Sequence, residues 1–131
     1  MSATDAAIFL AKAEESLAGA ESEFVNGRYN NCANRCYYSC FQAAIAALLQ
    51  EGVQPSGQHR EWRHSFVQAE FVSQLINRRK RYPAELRDTL PRAFALRQAA
   101  DYYLDWMPKQ QMERMLRRTR TFVQTIHQGR R

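Results

Sequence analysis

Apolar residues recur along this chain at intervals of three and four, the spacing that gathers side chains on one face of an α-helix, and no stretch alternates as a strand would. Phe9, Ala13, Leu17, Ala20 and Phe24 make the first stripe, with Glu14, Glu15, Glu21 and Glu23 on the wet side. The pattern predicts a helix from about Thr4 or Asp5, either of which suits a capping position, to Asn26, stopped by Gly27. A second helix is expected from near Asn30 or Asn31 to Glu51, ended by Gly52, with Ala33, Tyr37, Phe41, Ala44 and Leu48 on its inner face. The small residues there let a neighbouring helix come close. The stretch Gln54-Pro55-Ser56-Gly57-Gln58 reads as a polar loop.

A third helix is expected from about Arg60 to Asn77, with Phe66, Val67, Phe71 and Leu75 inward. The run Arg78-Arg79-Lys80-Arg81 then leads to Pro83, which suits the first turn of a fourth helix. Leu86, Leu90, Ala93, Phe94, Arg97 and Ala100 continue that face, and Pro91 should break or kink it, because proline lacks the donor that the helical ladder needs. Pro108 opens a last helix to about His127, with Met112, Met115, Thr119, Phe122 and Ile126 inward. Short connections between long amphipathic helices imply an all-α, antiparallel up-and-down bundle of four to five helices. A length of 131 residues suits one domain, residues 1–131, and is too short for two.

Composition narrows the class. With 45% apolar and 24% charged residues the chain has the make-up of a globular domain and not of a disordered one. No apolar run approaches the ~20 residues that span a bilayer, and the first residues lack the basic region of a signal peptide. A cytoplasmic protein with no membrane role is therefore expected. The net charge is +6, but residues 1–52 hold three basic and six acidic side chains (−3), whereas residues 53–131 hold sixteen and seven (+9). So lopsided a distribution points to a face that meets a polyanion; a solvated surface that aids solubility is the plainer reading. Cys32, Cys36 and Cys40 share one helical face, and an odd count without a CxxC pair argues against a disulfide framework or a zinc ribbon. Packing in the core is their expected role, and no metal or cofactor is implied.

Three short motifs then carry a resemblance. Asn34-Arg35-Cys36-Tyr37-Tyr38-Ser39-Cys40-Phe41-Gln42-Ala43-Ala44 is similar to the RxYYAxFxAA helix of small prokaryotic HEPN proteins. Arg63-His64-Ser65 stands after the Pro-Gly loop, where those proteins carry a His-Ser or His-Lys pair, and Leu96-Arg97-Gln98-Ala99-Ala100-Asp101-Tyr102 resembles their LRxxADY signature. Order and spacing agree from about Phe9 to Ile126. The resemblance implies a helical bundle that forms a homodimer, with polar residues of both chains in one central cleft. It also implies binding of RNA or a nucleotide. In many relatives it implies a metal-independent endoribonuclease, the toxin beside a small nucleotidyltransferase antitoxin.

Active members of that family carry Arg-x(4–6)-His, the arginine holding phosphate and the histidine serving as acid and base. Here Arg97 takes the arginine position and Tyr102 stands where the histidine would be. A phenol with a pKa of about 10 is a poor base at neutral pH, so any residual cleavage would use Tyr102 or His64 as the proton-handling partner of Arg97. Arg97 and Asp101 lie four residues apart. They would form either a plain intrahelical ion pair or, if buried, a guanidinium oriented to receive phosphate. Arg35 and Tyr38 are expected to line the same cleft. In some family pairs the nucleotidyltransferase adenylylates a tyrosine near the motif, a role that Tyr102 or Tyr103 would take; alternatively both rings pack in the bundle and share a hydrogen bond with Asp101. Arg120 and His127 also fit Arg-x(6)-His, but sixteen Arg and three His yield about one such match by chance. A reading from another class is a non-catalytic helical module that docks a nucleotidyltransferase or another protein.

Overall fold

The computed structural model describes residues 3–55 and 61–129. Among the described residues it holds five α-helices and no strand: α1 (Ala3–Val25), α2 (Tyr29–Gln50), α3 (His64–Glu70), α4 (Thr89–Tyr102) and α5 (Lys109–Gln128). A π-helical segment, Phe71–Arg78, continues α3, and a 3₁₀ turn, Ala84–Leu86, precedes α4. The stops after α1 and α2 fall at Gly27 and Gly52, whose φ angles of 77° and 76° lie in the left-handed region that favours glycine.

α2 is the axis of the bundle. Its inner stripe was expected to be one face, yet Cys32, Ala33, Cys36, Tyr37, Ser39, Cys40 and all residues from Ala43 to Leu48 are buried. α1, α4 and α5 all pack against it, and its alanines, cysteines and Ser39 leave room for them. The polar atoms drawn into this core find partners. Ser39 donates to the Ala13 carbonyl at 2.7 Å, Cys40 Sγ lies 3.6 Å from Thr119 Oγ1, and Thr119 donates to the Met115 carbonyl at 2.9 Å. All three cysteines are free and fully buried, and burial pushes the Cys40 thiol up, so it stays protonated.

The last helix buries its expected stripe, Met112, Met115, Thr119, Phe122 and Ile126, together with Leu116 and Val123. Two polar ties bind it to α1: Arg120 reaches Glu21 through Nε at 2.9 Å and Nη2 at 2.8 Å, and His127 Nδ1 lies 2.8 Å from Glu14. The chance pairing of Arg120 with His127 is thus two separate ties to α1.

The middle of the chain departs from the expected pattern. Of that reading, Ser56, Gly57, Gln58 and the start at Arg60 lie outside the described residues. Residues 61–63 are not helical, and α3 starts at His64 after an extended Arg63 (φ −90°, ψ 146°). Trp62 anchors this entry, with its ring 6.4 Å from Phe9 and 6.2 Å from Phe66. Beyond Glu70 the wider π-helical turn buries the neighbours Leu75 and Ile76 together.

Pro83 leads the 3₁₀ turn and not α4, which begins at Thr89. Pro91 therefore falls in the first turn, where backbone donors have no partner within the helix. The first ladder bond runs from Arg92 N to Asp88 O at 3.0 Å, one residue after the proline, and so the expected break does not arise.

The crowding around α2 makes a direct prediction. Ala44→Leu should lower stability by about 1–3 kcal/mol, the usual result of overpacking, whereas Ala11→Leu on the exposed face of α1 should stay within about 0.5 kcal/mol of the parent. Urea unfolding of both variants measures the difference; equal midpoints would mean that α2 is not tightly enclosed.

Candidate functional site

Tyr37 turns the core into a site. Its position on α2 follows from the apolar spacing and its ring is buried, but its hydroxyl needs a partner that the stripe does not supply. That partner is His64, at the start of α3, with Nδ1 at 3.1 Å. The imidazole in turn stacks on Phe94 of α4, with centroids 3.8 Å apart and planes 19° from parallel. The Tyr37 ring also touches Tyr38, Phe41 and Phe94 at centroid distances between 5.1 and 5.7 Å.

Arg97 closes the cluster from α4. Its Cζ lies 5.0 Å from the Tyr37 ring centroid and 5.4 Å from that of Tyr38, and Arg35 Cζ lies 5.1 Å from the Tyr38 ring. Tyr38 therefore receives one cation from its own helix and one from α4. Asp101 Oδ2 stands 3.6 Å from Arg97 Nε, near enough for an ion pair but beyond a hydrogen bond, and that Nε is buried without a hydrogen-bond partner. The other carboxylate oxygen, Oδ1, accepts from Asn34 Nδ2 at 2.9 Å. Asn30 fixes the end of α4 beside it: its amide donates to the Ala100 carbonyl and its oxygen accepts from Met107 N, both at 3.0 Å. The Arg97 and Asp101 side chains remain 28% and 30% exposed, so the pair meets solvent at the rim of the aromatic cluster.

Charge and burial set the protonation states. Burial holds the His64 imidazole below the ordinary histidine value and the Arg97 charge pushes the same way, while a hydrogen bond with Gln68 opposes both. Burial pushes the Tyr37 phenol up, against the pull of Arg97. At neutral pH the site thus holds a neutral imidazole beside a protonated phenol and a fixed guanidinium. An imidazole in that state can take a proton, and the guanidinium can hold an anion.

Arg97, Asp101, Arg35, Tyr38 and His64, all singled out from the sequence, gather around Tyr37. Tyr102 does not join them. It is 76% exposed, and the hydrogen-bond partner of Asp101 is Asn34. The reading in which Tyr102 and Tyr103 pack in the bundle and share a bond with Asp101 is therefore corrected. One residue turns a helix by about 100°, so with Asp101 facing α2 its neighbour points outward. Tyr103, Leu104 and Trp106 are exposed on the same corner. Tyr37, Asn34 and Phe94 were not foreseen as site residues. For Tyr37 the signals are a tyrosine hydroxyl within a buried stripe and its place in the motif beside Arg35 and Tyr38.

The low His64 value has a sign that can be tested. Below about pH 6.5 the unfolded histidine takes up a proton that the folded one refuses. Stability contributed by a neutral His64 is thus present above that pH and is lost as pH falls toward the lower folded value. Relative to the parent, His64→Gln should show a shallower fall of the urea midpoint between about pH 7.5 and 5.5, the range flanking that pKa. Identical slopes would show that His64 titrates alike in both states.

The sequence profile described as the HEPN domain matches residues 6–129. No curated protein sequence matches the chain. The profile runs from the first turns of α1 past the end of α5 and takes in every residue around Tyr37, and on that ground the chain belongs to the HEPN family.

Proposed function

We propose that this domain binds RNA or a nucleotide by its phosphate, at Arg97. The observation that carries the reading is the state of that guanidinium: held on two tyrosine rings, 3.6 Å from a carboxylate whose hydrogen bond goes to Asn34. Such a cation is oriented but not saturated, and phosphate oxygens accept from it in the geometry that arginine presents. Asp101 orients it, and Arg35 supplies a second positive charge beside Tyr38.

The finer reading is a ribonuclease-type toxin paired with a nucleotidyltransferase antitoxin and acting as a homodimer with a shared cleft. His64 then handles the proton, because it is neutral and joined to the Arg97 cluster through Tyr37. Tyr102, outward-facing beside Asp101, is the acceptor of a modifying nucleotide and not the base. A second reading rests on the exposed corner of Tyr102, Tyr103, Leu104 and Trp106: a non-catalytic module that docks a nucleotidyltransferase or another protein.

Purified protein incubated with total RNA distinguishes these readings. Cleavage by the parent should be lost in Arg97→Gln and fall about a hundredfold or more in His64→Gln, the usual range for loss of a general acid or base. Tyr102→Phe should cleave normally and resist modification by the partner enzyme. No cleavage by the parent, with Trp106→Ala abolishing capture of the nucleotidyltransferase, would favour the docking module. Light scattering at micromolar concentration should give a dimer, and a monomer would remove the shared cleft.

A further inference from the structure

The +9 balance of residues 53–131 is unevenly used in the fold. Arg79 and Arg81 are held by Glu51, Arg120 by Glu21 and Arg63 by Glu61, and Arg87 donates to Asn77. Arg92, Arg114, Arg117 and Arg118 form no ion pair or side-chain hydrogen bond among the described residues. They also share one place. Arg92 on α4 and Arg114 and Arg118 on α5 line a groove of about 340 Å³, with Leu96 and Met115 among its apolar lining. The same α5 arginines, joined by Arg117, line an adjoining depression of about 450 Å³. Glu85 lines that depression without pairing with them.

Three like charges at positions i, i+3 and i+4 of one helix repel each other, and among the described residues none of them is in an ion pair. Arg114 and Arg118 lie about 6 Å apart along α5, so a strand laid in the groove would bring successive phosphates to successive guanidinium groups. Arg92 closes the opposite wall. It precedes Arg97 by five residues, about 140° around α4, so the groove faces away from the Tyr37 cluster. A membrane-binding face would mix these charges with large exposed apolar side chains. Those lie elsewhere, at Ile8, Val25 and the corner holding Trp106.

We infer that the α4–α5 groove is a second anion site, which holds the sugar–phosphate backbone of single-stranded nucleic acid across Arg92, Arg114, Arg117 and Arg118. It extends the reading of Arg97 without depending on it, since the groove binds a strand whether or not the Tyr37 cluster holds a phosphate.

Fluorescence anisotropy with labelled oligouridylate and oligothymidylate tests the groove. Arg114→Gln/Arg118→Gln should weaken binding at least tenfold and lower the slope of log K against log salt by about 1.4, two contacts at ~0.7 each for a single strand. Arg78→Gln/Lys80→Gln removes the same charge from exposed positions off the groove and should weaken binding far less. Unchanged urea midpoints would establish that both double variants fold. Equal losses in the two double variants would reduce the effect to net charge and overturn the proposal. Binding abolished by Arg97→Gln but untouched by the groove pair would place the strand at the Tyr37 cluster alone, which also overturns it. Parent protein that ignores both oligonucleotides but binds anionic vesicles or an acidic peptide would give the groove to another partner. If cleavage of total RNA is absent while the groove pair still weakens binding, the groove stands and the ribonuclease reading falls.

Discussion

Because α2 is buried along nearly its whole circumference, every turn of it must offer side chains small enough to admit α1, α4 and α5 together. Alanine, cysteine and serine meet that demand, and the close approach they permit brings Ser39 to a carbonyl of α1 and Cys40 to Thr119 of α5. The larger residues of the helix are placed where the packing has room. Tyr37, Tyr38 and Phe41 fall together toward α3 and α4, and the aromatic cluster grows from that side.

The candidate site is thus an extension of the core and not a decoration on loops. Arg97 is held by rings that also pack the bundle, and His64 stacks on one wall of the cluster while its nitrogen meets the Tyr37 hydroxyl. Such a setting orients a guanidinium and an imidazole without long side chains searching for their positions. It also ties their electrostatics to the packing, since the burial that positions His64 is what keeps its imidazole neutral. Asn30 and Asn34 extend the same logic to the end of α4, fixing the Ala100 carbonyl and the Asp101 carboxylate from α2.

Basic residues divide into those used to hold the fold and those left to solvent. Glu51 draws in Arg79 and Arg81, and Glu21 draws in Arg120, so a basic run that looked uniform along the chain is partly neutralised where helices meet. The arginines that remain free on α4 and α5 form a groove of their own. Membership of the HEPN family is consistent with the all-helical architecture. Among the described residues no helix is long and apolar enough to cross a membrane.

Helical periodicity determined most of the architecture: the spans of α1, α2 and α5, the glycine stops at 27 and 52, and the inward stripe of α5 are local properties of spacing and backbone freedom. The motif around Tyr37 and Tyr38 and the Leu96–Tyr102 stretch likewise marked which residues to follow. The tertiary structure decided what spacing leaves undetermined. Pro91 is harmless because α4 starts two residues before it, a boundary set by the 3₁₀ turn and the packing of Leu86 and Leu90. Tyr37 becomes the hub of the site because α3 delivers His64 to its hydroxyl from 27 residues away. Tyr102 is excluded because Asp101 is turned toward Asn34, and a helix cannot aim adjacent residues in one direction. Which charges are spent and which stay free depends on carboxylates brought from distant helices. Periodicity along one chain holds no record of those meetings, because they are set by which faces come together when the bundle closes.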